Sequence, residues 1–414
     1  MNERNMEFPG IMERFFSYVK IDTQSSEESS SFPSTPKQYN LLNQLKDELA
    51  AFGLDDVGLT NWGYVMGTLK TNLRKPGPTI ALIAHVDTSP DVSGEQVSPQ
   101  VHPNYDGQDI VLPKDGVIIR VSENPYLKEK VGKTIITSDG STLLGADDKA
   151  GVAEIMCAVK YLIDHPEIPR PNIRILFTPD EEVGRGTEHI TPDEIKADYG
   201  YTVDGEKLGE IEDETFCADT VEIHIDGVNV HPGYAKHKMI NAVKIGSEII
   251  EQFPKNGMAP ETTEGREGYI HPHHFYGNVE NAVIKILIRD FEEKGLVEKE
   301  DYIRGVAQAV GGKYPKAKVT VNVIESYRNM KYILDQHKDV LDKAVRAVDM
   351  AGVPPRKNII RGGTDGARLS FMGLPTPNLF TGGSNFHSRQ EWIALEDMLK
   401  ASEVIVNLMR LWAE

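Results

Sequence analysis

The chain has 414 residues, more than one hydrophobic core usually supports, so its length predicts two domains. Hydrophobic residues make up 39% and charged residues 26%, which is the mix of a folded globular protein. Its 63 acidic and 45 basic side chains give a net charge of -18, which disfavours nucleic acid and anionic membrane surfaces as partners and favours a cationic or metal-bound ligand.

The amino-terminal and apolar segments give no sign of export or membrane insertion. Residues 1–9 carry charged side chains and no apolar core, so they are not expected to form a secretory signal. Apolar runs such as Ile80–Ala84 are far shorter than the ~20 residues that span a bilayer. Only Cys157 and Cys217 are present, so a disulfide framework is not expected. These features predict a soluble protein of the reducing cytoplasm.

The first half of the chain has the pattern of an α/β sheet. The apolar runs Ile80–Ala84 and Ile173–Phe177 are bounded by Pro, Gly or charged residues, as buried parallel strands are. Apolar residues between Val152 and Ile163 recur at helical spacing, which predicts a crossover helix between the two strands. The last segment, Leu395–Trp412, has an apolar helical face and is expected to pack on the same layer.

From about Asp219 to Glu325 the pattern changes to strand, helix, two strands, helix and strand, which is the ferredoxin-like order βαββαβ. This predicts a domain of residues 214–325 inserted into a discontinuous one of residues 1–213 and 326–414. Two segments are expected to be loops: the Ser-rich Ser25–Ser34, and the histidine-rich His271–His274, which Pro272 interrupts.

Five clusters of polar residues lie where strands end or loops turn. They are His85-Val86-Asp87, Gly145 to Gly151, Asp180-Glu181-Glu182, Asp204, and Asn385-Phe386-His387-Ser388. Taken singly, an acid at such a position is usually a solvated helix cap, and a lone His is usually structural. Together they supply two His and three carboxylates, the ligands that a pair of zinc ions requires. A carboxylate commonly bridges such a pair.

In order and spacing, these clusters resemble the successive motifs of the clan of zinc aminoacylase and carboxypeptidase G2, which includes metallopeptidase family M20. The resemblance runs over essentially the whole chain. It implies a di-zinc exopeptidase catalytic domain, with a mixed, mostly parallel sheet flanked by helices. It also implies that the inserted βαββαβ domain is a lid, of the kind through which relatives dimerise.

The resemblance also implies a ligand set for two zinc ions per subunit. His85 and Asp204 would hold one ion, Glu182 and His387 the other, and Asp147 would bridge both. The peptide bond that follows the bridging aspartate is typically cis in the family.

Two further acids are expected to serve catalysis. Asp87, two residues after His85, is suited to accept the second ring N–H of that histidine and fix its tautomer. By the resemblance, Glu181 is the general base that takes a proton from the attacking water and later gives it to the leaving amine.

Three basic residues are candidates for binding substrate. His231 matches a lid histidine that reaches the partner's active site in dimeric relatives, so a homodimer is possible and action within one chain is the alternative. The guanidinium groups of Arg289 and Arg368 are suited to hold a substrate carboxylate, although a structural ion pair explains either arginine equally well.

The reaction that the resemblance implies is release of the amino-terminal residue from tripeptides, with short peptides as the binding partners. A dipeptidase, a carboxypeptidase and an amide deacylase share the same metal motifs and remain alternatives. A non-catalytic metal-binding scaffold is a further alternative, which Glu181 disfavours because binding alone needs no general base.

Overall fold

The computed structural model describes residues 6–414, so part of the predicted charged amino terminus, residues 1–5, lies outside the described residues. The chain divides into two compact units. Unit 1 comprises Met1–Asp213, Met330–Asn358 and Thr364–Glu414, and unit 2 comprises Glu214–Asn329 and Ile359–Gly363. The sequence prediction placed the second boundary at 325/326 and had not assigned residues 359–363 to the inserted domain.

The helices and strands are numbered here in chain order. The helices are α1 (Ile11–Val19), α2 (Gln38–Ala51), α3 (Ala146–Asp164), α4 (Pro192–Ile195), α5 (Ala242–Glu251), α6 (Glu293–Gly311), α7 (Lys331–Leu334), α8 (Lys338–Met350), α9 (Asp365–Phe371) and α10 (Leu395–Trp412). The strands are β1 (Asp55–Leu59), β2 (Val65–Leu69), β3 (Thr79–His85), β4 (Gln100–His102), β5 (Ile110–Val111), β6 (Ile118–Ile119), β7 (Ile135–Thr137), β8 (Asn172–Thr178), β9 (Tyr199–Gly205), β10 (Glu210–Thr215), β11 (Cys217–Asp226), β12 (Tyr269–Gly277), β13 (Asn281–Asp290), β14 (Lys318–Tyr327), β15 (Arg356–Ile360), β16 (Asn378–Phe380), β17 (Gly383–Ser384) and β18 (Trp392–Ala394).

Unit 1 is built around a mixed sheet in the order β1-β2-β8-β3-β9-β16-β10-β15. Its central strands β8, β3, β9 and β16 run parallel, and β1, β2 and β10 pair with their neighbours in antiparallel fashion. β3 is apolar from Ile80 to Ala84, whereas the run predicted for β8 contains Arg174. Both strands are buried along nearly their whole length, as strands of a parallel sheet covered by helices are. The predicted mixed α/β sheet is therefore confirmed.

The crossover helix between β3 and β8 is α3, which is buried along nearly its whole length. Helix α10 packs against α3, as its apolar face predicts. A smaller antiparallel sheet, β17-β18-β7-β4, also belongs to unit 1, and its strand β18 carries the fully buried Trp392.

Unit 2 contains an antiparallel sheet in the order β12-β13-β11-β14, with α5 and α6 packed on it. The chain order is βαββαβ. In β11, the residues Val221, Ile223 and Ile225 are buried and alternate with more exposed neighbours, which is the pattern of a sheet covered on one face. At the start of α5, the Asn241 side chain accepts the N–H groups of Val243 and Lys244.

The expected loop at His271–His274 is wrong, because these residues lie within strand β12. β12 is an edge strand, and its pairing with β13 shifts register between Pro272 and His274. An edge position tolerates proline because the missing N–H faces no neighbouring strand. β12 therefore extends without interruption from Tyr269 through the histidines to Gly277.

Two other features of the sequence have counterparts in the structure. Cys157 and Cys217 lie in α3 and β11 and do not form a disulfide. Among the described residues, no helix is long and apolar enough to cross a membrane.

Candidate metal centre and active site

Three of the predicted ligand segments follow neighbouring strands of the large sheet. His85 is the last residue of β3, Asp204 is near the end of β9, and Glu182 comes shortly after β8. β3 runs parallel to both β8 and β9, so these strands end at one edge of the sheet. In open α/β sheets this is the edge where ligand sites are built.

The other two predicted ligands come from a helix start and a loop. Asp147 lies in the first turn of α3, after Gly145, whose φ of 81° favours glycine. The peptide bond between Asp147 and Asp148 is cis. His387 lies between β17 and β18 and has a φ of 58°, a conformation rare for residues other than glycine. Such conformations cluster at functional sites because the surrounding structure must enforce them.

The first group of candidate metal ligands forms around His85. Its Nε2 lies 2.9 Å from Oδ1 of Asp147 and 3.4 Å from Oδ1 of Asp204. One ligand atom from each of the three residues falls within 4.8 Å of the others, which is close enough to surround one ion.

The second group forms around His387. Its Nε2 lies 2.8 Å from Oε2 of Glu182 and 3.2 Å from Oδ2 of Asp147. Asp147 therefore offers one carboxylate oxygen to each group and joins the two. Within residues 6–414 these are the two clusters of three or more potential ligands.

The charges of the two groups show that they fit bound cations. Burial, together with the charge of Asp147, raises the pKa of Glu182 to about 8. Burial raises the pKa of Asp204 to about 6. Burial would lower the pKa of His387, but hydrogen bonds with Asp147 and Glu182 outweigh it and raise that pKa to about 11. Oε1 of Glu182 is buried and has no hydrogen-bond partner among the described residues. Positive charge at the two groups would stabilise these carboxylates, so the donor set fits two divalent cations.

Asp87 connects His85 to the segment that carries Glu181. Nδ1 of His85 lies 3.1 Å from the Asp87 carbonyl oxygen and 3.4 Å from its Oδ1. The Asp87 carboxylate also accepts the backbone N–H groups of Glu181 at 3.0 Å and Glu182 at 3.2 Å. This fully buried acid therefore lies where it can orient the histidine, and it also fixes the backbone of the next two acids.

Glu181 belongs to neither ligand group, but it lies close enough to His85 and Asp204 for their charges to act on it. Burial raises the pKa of Glu181 well above its ordinary value, and the charge of Asp204 adds to this effect while His85 opposes it. A carboxylate with a raised pKa is suited to accept a proton near neutral pH.

Sequence reasoning missed Glu391, a buried acid that holds the loop before α3. Its Oε2 accepts the N–H groups of Leu144 at 2.6 Å and Gly145 at 2.8 Å, and its Oε1 accepts that of Asp147 at 3.1 Å. Glu391 thereby fixes the backbone from which Asp147 projects. Its only signal in the sequence is an acid four residues after His387, a position that a surface acid could equally occupy.

The role of Asp180 was also missed. Its carboxylate accepts the N–H and hydroxyl of Ser34, each at 2.5 Å, and the side-chain amide of Gln38 at 2.6 Å. Asp180 itself has a φ of 57°. The Ser-rich segment therefore has a structural function, because its last residue anchors the turn that leads to Glu181.

The three predicted substrate-binding residues are not part of the two ligand groups. His231 and Arg289 belong to unit 2, where His231 accepts the N–H of Gly233 at Nδ1 and Arg289 donates to the Ile288 carbonyl at 2.9 Å. Arg368 belongs to unit 1, in helix α9. Its charge opposes the effect of burial on Asp365, whose pKa is raised to about 7.

Comparison with known proteins gives the same assignment as the motifs. Residues 139–411 match the family described as Peptidase family M20/M25/M40. Peptidase T of Caldanaerobacter subterraneus subsp. tengcongensis is 48% identical over 405 residues, which cover 98% of this chain and 99% of that protein.

Two solved structures share the fold. The aminopeptidase PepT from Bacillus cereus has a TM-score of 0.76 at 23% identity and covers 99% of this chain and 100% of its own. A tripeptidase from Staphylococcus aureus has a TM-score of 0.74 at 20% identity, with the same coverage.

The fold and the paired ligand groups thus define a peptidase of the M20 type, and the chain belongs to peptidase family M20/M25/M40. Within that family, its nearly full-length relatives at 48% identity are peptidases T. The family resemblance inferred from the motifs is confirmed.

Proposed function

We propose that the chain is a cytoplasmic, zinc-dependent aminopeptidase that releases the amino-terminal residue from tripeptides. The observation that carries this proposal is the position of Asp147, with one carboxylate oxygen beside His85 and the other beside His387. The nearly full-length similarity to peptidase T supports the substrate class.

The proposed ligand assignment follows the two groups. His85 and Asp204 would hold one ion, Glu182 and His387 would hold the other, and Asp147 would contribute to both. Imidazole and carboxylate are ligands that zinc accepts. Two bound zinc ions would act as Lewis acids that polarise the scissile carbonyl and lower the pKa of the attacking water.

The protein's own residues then carry out the proton transfers. Glu181 takes a proton from the water and gives it to the departing amine, so the same carboxylate serves as base and as acid. Asp87 keeps Glu181 in place through the backbone N–H that it accepts, and it accepts the Nδ1 proton of His85. That hydrogen bond leaves Nε2 of His85 unprotonated and available to a metal ion.

The ligand assignment is tested by Asp147→Asn. Loss of the bridging negative charge weakens both positions, so the variant should lose both zinc ions together, measured by elemental analysis after dialysis. Stoichiometric retention of two tightly bound ions would show that Asp147 is not shared.

The substrate assignment is tested by incubating the zinc-loaded protein with a dipeptide, a tripeptide, a tetrapeptide and an N-acetylated tripeptide, with products identified by mass. The proposal expects a free amino-terminal residue plus a dipeptide from the tripeptide, and little product from the others. Release of the carboxyl-terminal residue would indicate a carboxypeptidase, exclusive cleavage of the dipeptide a dipeptidase, and release of acetate a deacylase. The homodimer, and substrate binding by His231, stay predictions.

A further inference from the structure

A cavity of about 610 Å³ within unit 1 opens directly beside the second ligand group. Asp147 and His387 form part of its wall, and the aromatic residues Tyr126, Phe386 and Trp392 form another part. Its volume lies in the range of small-molecule sites. A cavity of this size beside the reacting groups can hold a residue of the substrate.

The geometry indicates which half of the substrate the cavity holds. Glu181, which gives its proton to the departing amine, does not line the cavity, whereas His387 does. The departing half of the peptide must lie on the side of Glu181, because a proton passes between them over hydrogen-bond distance. The cavity therefore faces the other half, which carries the scissile carbonyl. In an aminopeptidase this half is the amino-terminal residue alone.

The aromatic wall is held rigidly. The Tyr126 hydroxyl accepts the N–H of Leu208 at 2.8 Å and donates to Asp397 at 3.0 Å, and its ring stacks on Trp392 with centroids 5.6 Å apart. The ammonium of Lys130 lies 4.1 Å from the Tyr126 ring centroid. A wall fixed on both faces keeps the cavity open for a side chain.

An ammonium group in this cavity needs an anionic partner, and Glu206 is best suited for it. Asp147 is already shared between the two ligand groups. Glu123 also lines the cavity, but its side chain is 62% exposed and lies 3.9 Å from Nε of Arg120. Glu206 directly follows the strand that carries Asp204. Its ion pair with Lys207 is long, at 3.9 Å, and both side chains are partly exposed, so a ligand can replace that contact.

We propose that Glu206 binds the α-ammonium group of the substrate and that the cavity, whose wall includes Tyr126, Phe386 and Trp392, receives the side chain of the same amino-terminal residue. This inference rests on the proposed function and adds the group that recognises the free amine. It makes Glu206 a substrate-binding residue, separate from the metal ligands and from Glu181.

The test uses the zinc-loaded enzyme and pairs of substrates that differ only at the amino group: Gly-Gly-Gly with glycolyl-Gly-Gly, and Ala-Gly-Gly with L-lactyl-Gly-Gly. In each pair a hydroxyl replaces the ammonium. Glu206→Gln should lower kcat/KM for both tripeptides by roughly 10- to 150-fold, the range for a lost charged hydrogen bond, and change kcat/KM for the hydroxyl analogues less than threefold. Glu206→Asp, which keeps the charge, should retain part of the selectivity.

The control is Glu129→Gln, which removes a carboxylate that is 56% exposed and lies 3.8 Å from Arg356 outside the cavity. It should match the wild type, and all variants should keep two zinc ions and the wild-type melting temperature. Unchanged amine selectivity in both Glu206 variants would overturn the inference. So would a loss confined to peptides that begin with Lys or Arg, which would mean that Glu206 binds a side chain. A wild-type enzyme that cleaves no tripeptide would instead contradict the proposed function.

Discussion

The two units place their charged residues differently. In unit 1, the buried acids Asp87, Asp180 and Glu391 each accept at least two hydrogen bonds, and Asp87 and Asp180 come shortly after the parallel strands β3 and β8. In unit 2, the buried Asp219 pairs with the guanidinium of Arg328 at 2.8 Å, and residues such as Glu222 and Lys285 pair on the less buried face of an antiparallel sheet. The acids of unit 1 hold backbone segments beside the candidate metal ligands. The Glu222–Lys285 pair of unit 2 lies on a partly exposed face of a sheet and, among the described residues, holds no such segment.

The difference follows from the cost of burying charge. A buried carboxylate is costly unless hydrogen bonds or opposite charges compensate it. Asp87 and Glu391 meet that requirement by accepting backbone N–H groups, so these two acids also fix the backbone beside the candidate ligands. A paired charge on a partly exposed face contributes little. Function in unit 1 therefore depends on single side chains, and we expect substitutions there to have the larger effects.

The largest effect expected of a single substitution in unit 1 is at Glu181. Glu181→Gln keeps the size of the side chain but removes its ability to accept a proton, so kcat should fall by about two to four orders of magnitude. The content of bound zinc, measured on the same preparation, should stay at two ions because Glu181 belongs to neither ligand group. Loss of zinc together with activity would instead make Glu181 a ligand.

Arg289 would be a functional side chain of unit 2 if it binds the substrate carboxylate. A charged hydrogen bond of this kind corresponds to roughly 10- to 150-fold in kcat/KM, so amidation of the tripeptide's carboxyl terminus should cost the wild type about that factor. Arg289→Ala should largely abolish the preference for the free acid. We expect Arg368→Ala to keep the preference, since the charge of Arg368 offsets burial of Asp365.

Substrates of different length complete this comparison. If the enzyme binds both the terminal ammonium and the terminal carboxylate of its substrate, a pentapeptide should be cleaved much more slowly than a tripeptide. Equal kcat/KM for a tripeptide, its amide and a pentapeptide would exclude recognition of the carboxylate and leave a general aminopeptidase. If Arg368→Ala abolishes the preference for the free acid and Arg289→Ala does not, the carboxylate-binding residue is Arg368 in unit 1.

The sequence predicted the parts of the molecule that depend on local pattern. Short, mostly apolar runs predicted β3 and β8, helical spacing predicted α3 and α10, and alternation predicted β11. The candidate ligands were assigned through the family resemblance, and two of them, His85 and Glu182, lie at or shortly after strands that the apolar pattern also predicted, β3 and β8. His85, at the end of β3, shows this most clearly.

The parts that it did not predict depend on contacts between distant segments. Glu391 reaches residues about 245 positions earlier, and Asp180 reaches Ser34 across 146 positions. No periodicity marks such a contact. The prediction of a loop at the histidine-rich part of β12 was wrong for a related reason. Proline is compatible with a strand at an edge of a sheet, and the order of strands in a sheet depends on tertiary structure.

Substitution of Glu391 tests how strongly zinc binding in unit 1 depends on the backbone position of Asp147. Glu391→Gln replaces one carboxylate oxygen by an amide that cannot accept an N–H, so at least one of its three hydrogen bonds is lost. Zinc affinity should fall about 10- to 100-fold, the usual range for partners of metal ligands. Titration with a competing chelator measures this. Glu396→Gln is a matched control, because Glu396 accepts the N–H of Thr134 away from the ligand groups. Equal zinc affinity in both variants would contradict a positioning role.

An effect on stability and not on activity is expected at Glu154, in the buried part of α3. Neither oxygen of its carboxylate has a hydrogen-bond partner among the described residues, and burial, with the nearby charge of Asp397, raises its pKa well above the ordinary value of 4.5. The folded protein therefore keeps a proton that the unfolded chain loses as the pH rises above about 4.5. The free energy of unfolding should then decrease by up to about 1.4 kcal/mol per pH unit until the folded protein also releases the proton. Glu154→Gln is neutral at every pH and removes this contribution. Melting temperatures of the wild type and the variant should therefore be similar near pH 4.5 and diverge in favour of the variant towards pH 8. Parallel pH profiles would show that Glu154 is ionised in the folded protein and has a compensating partner.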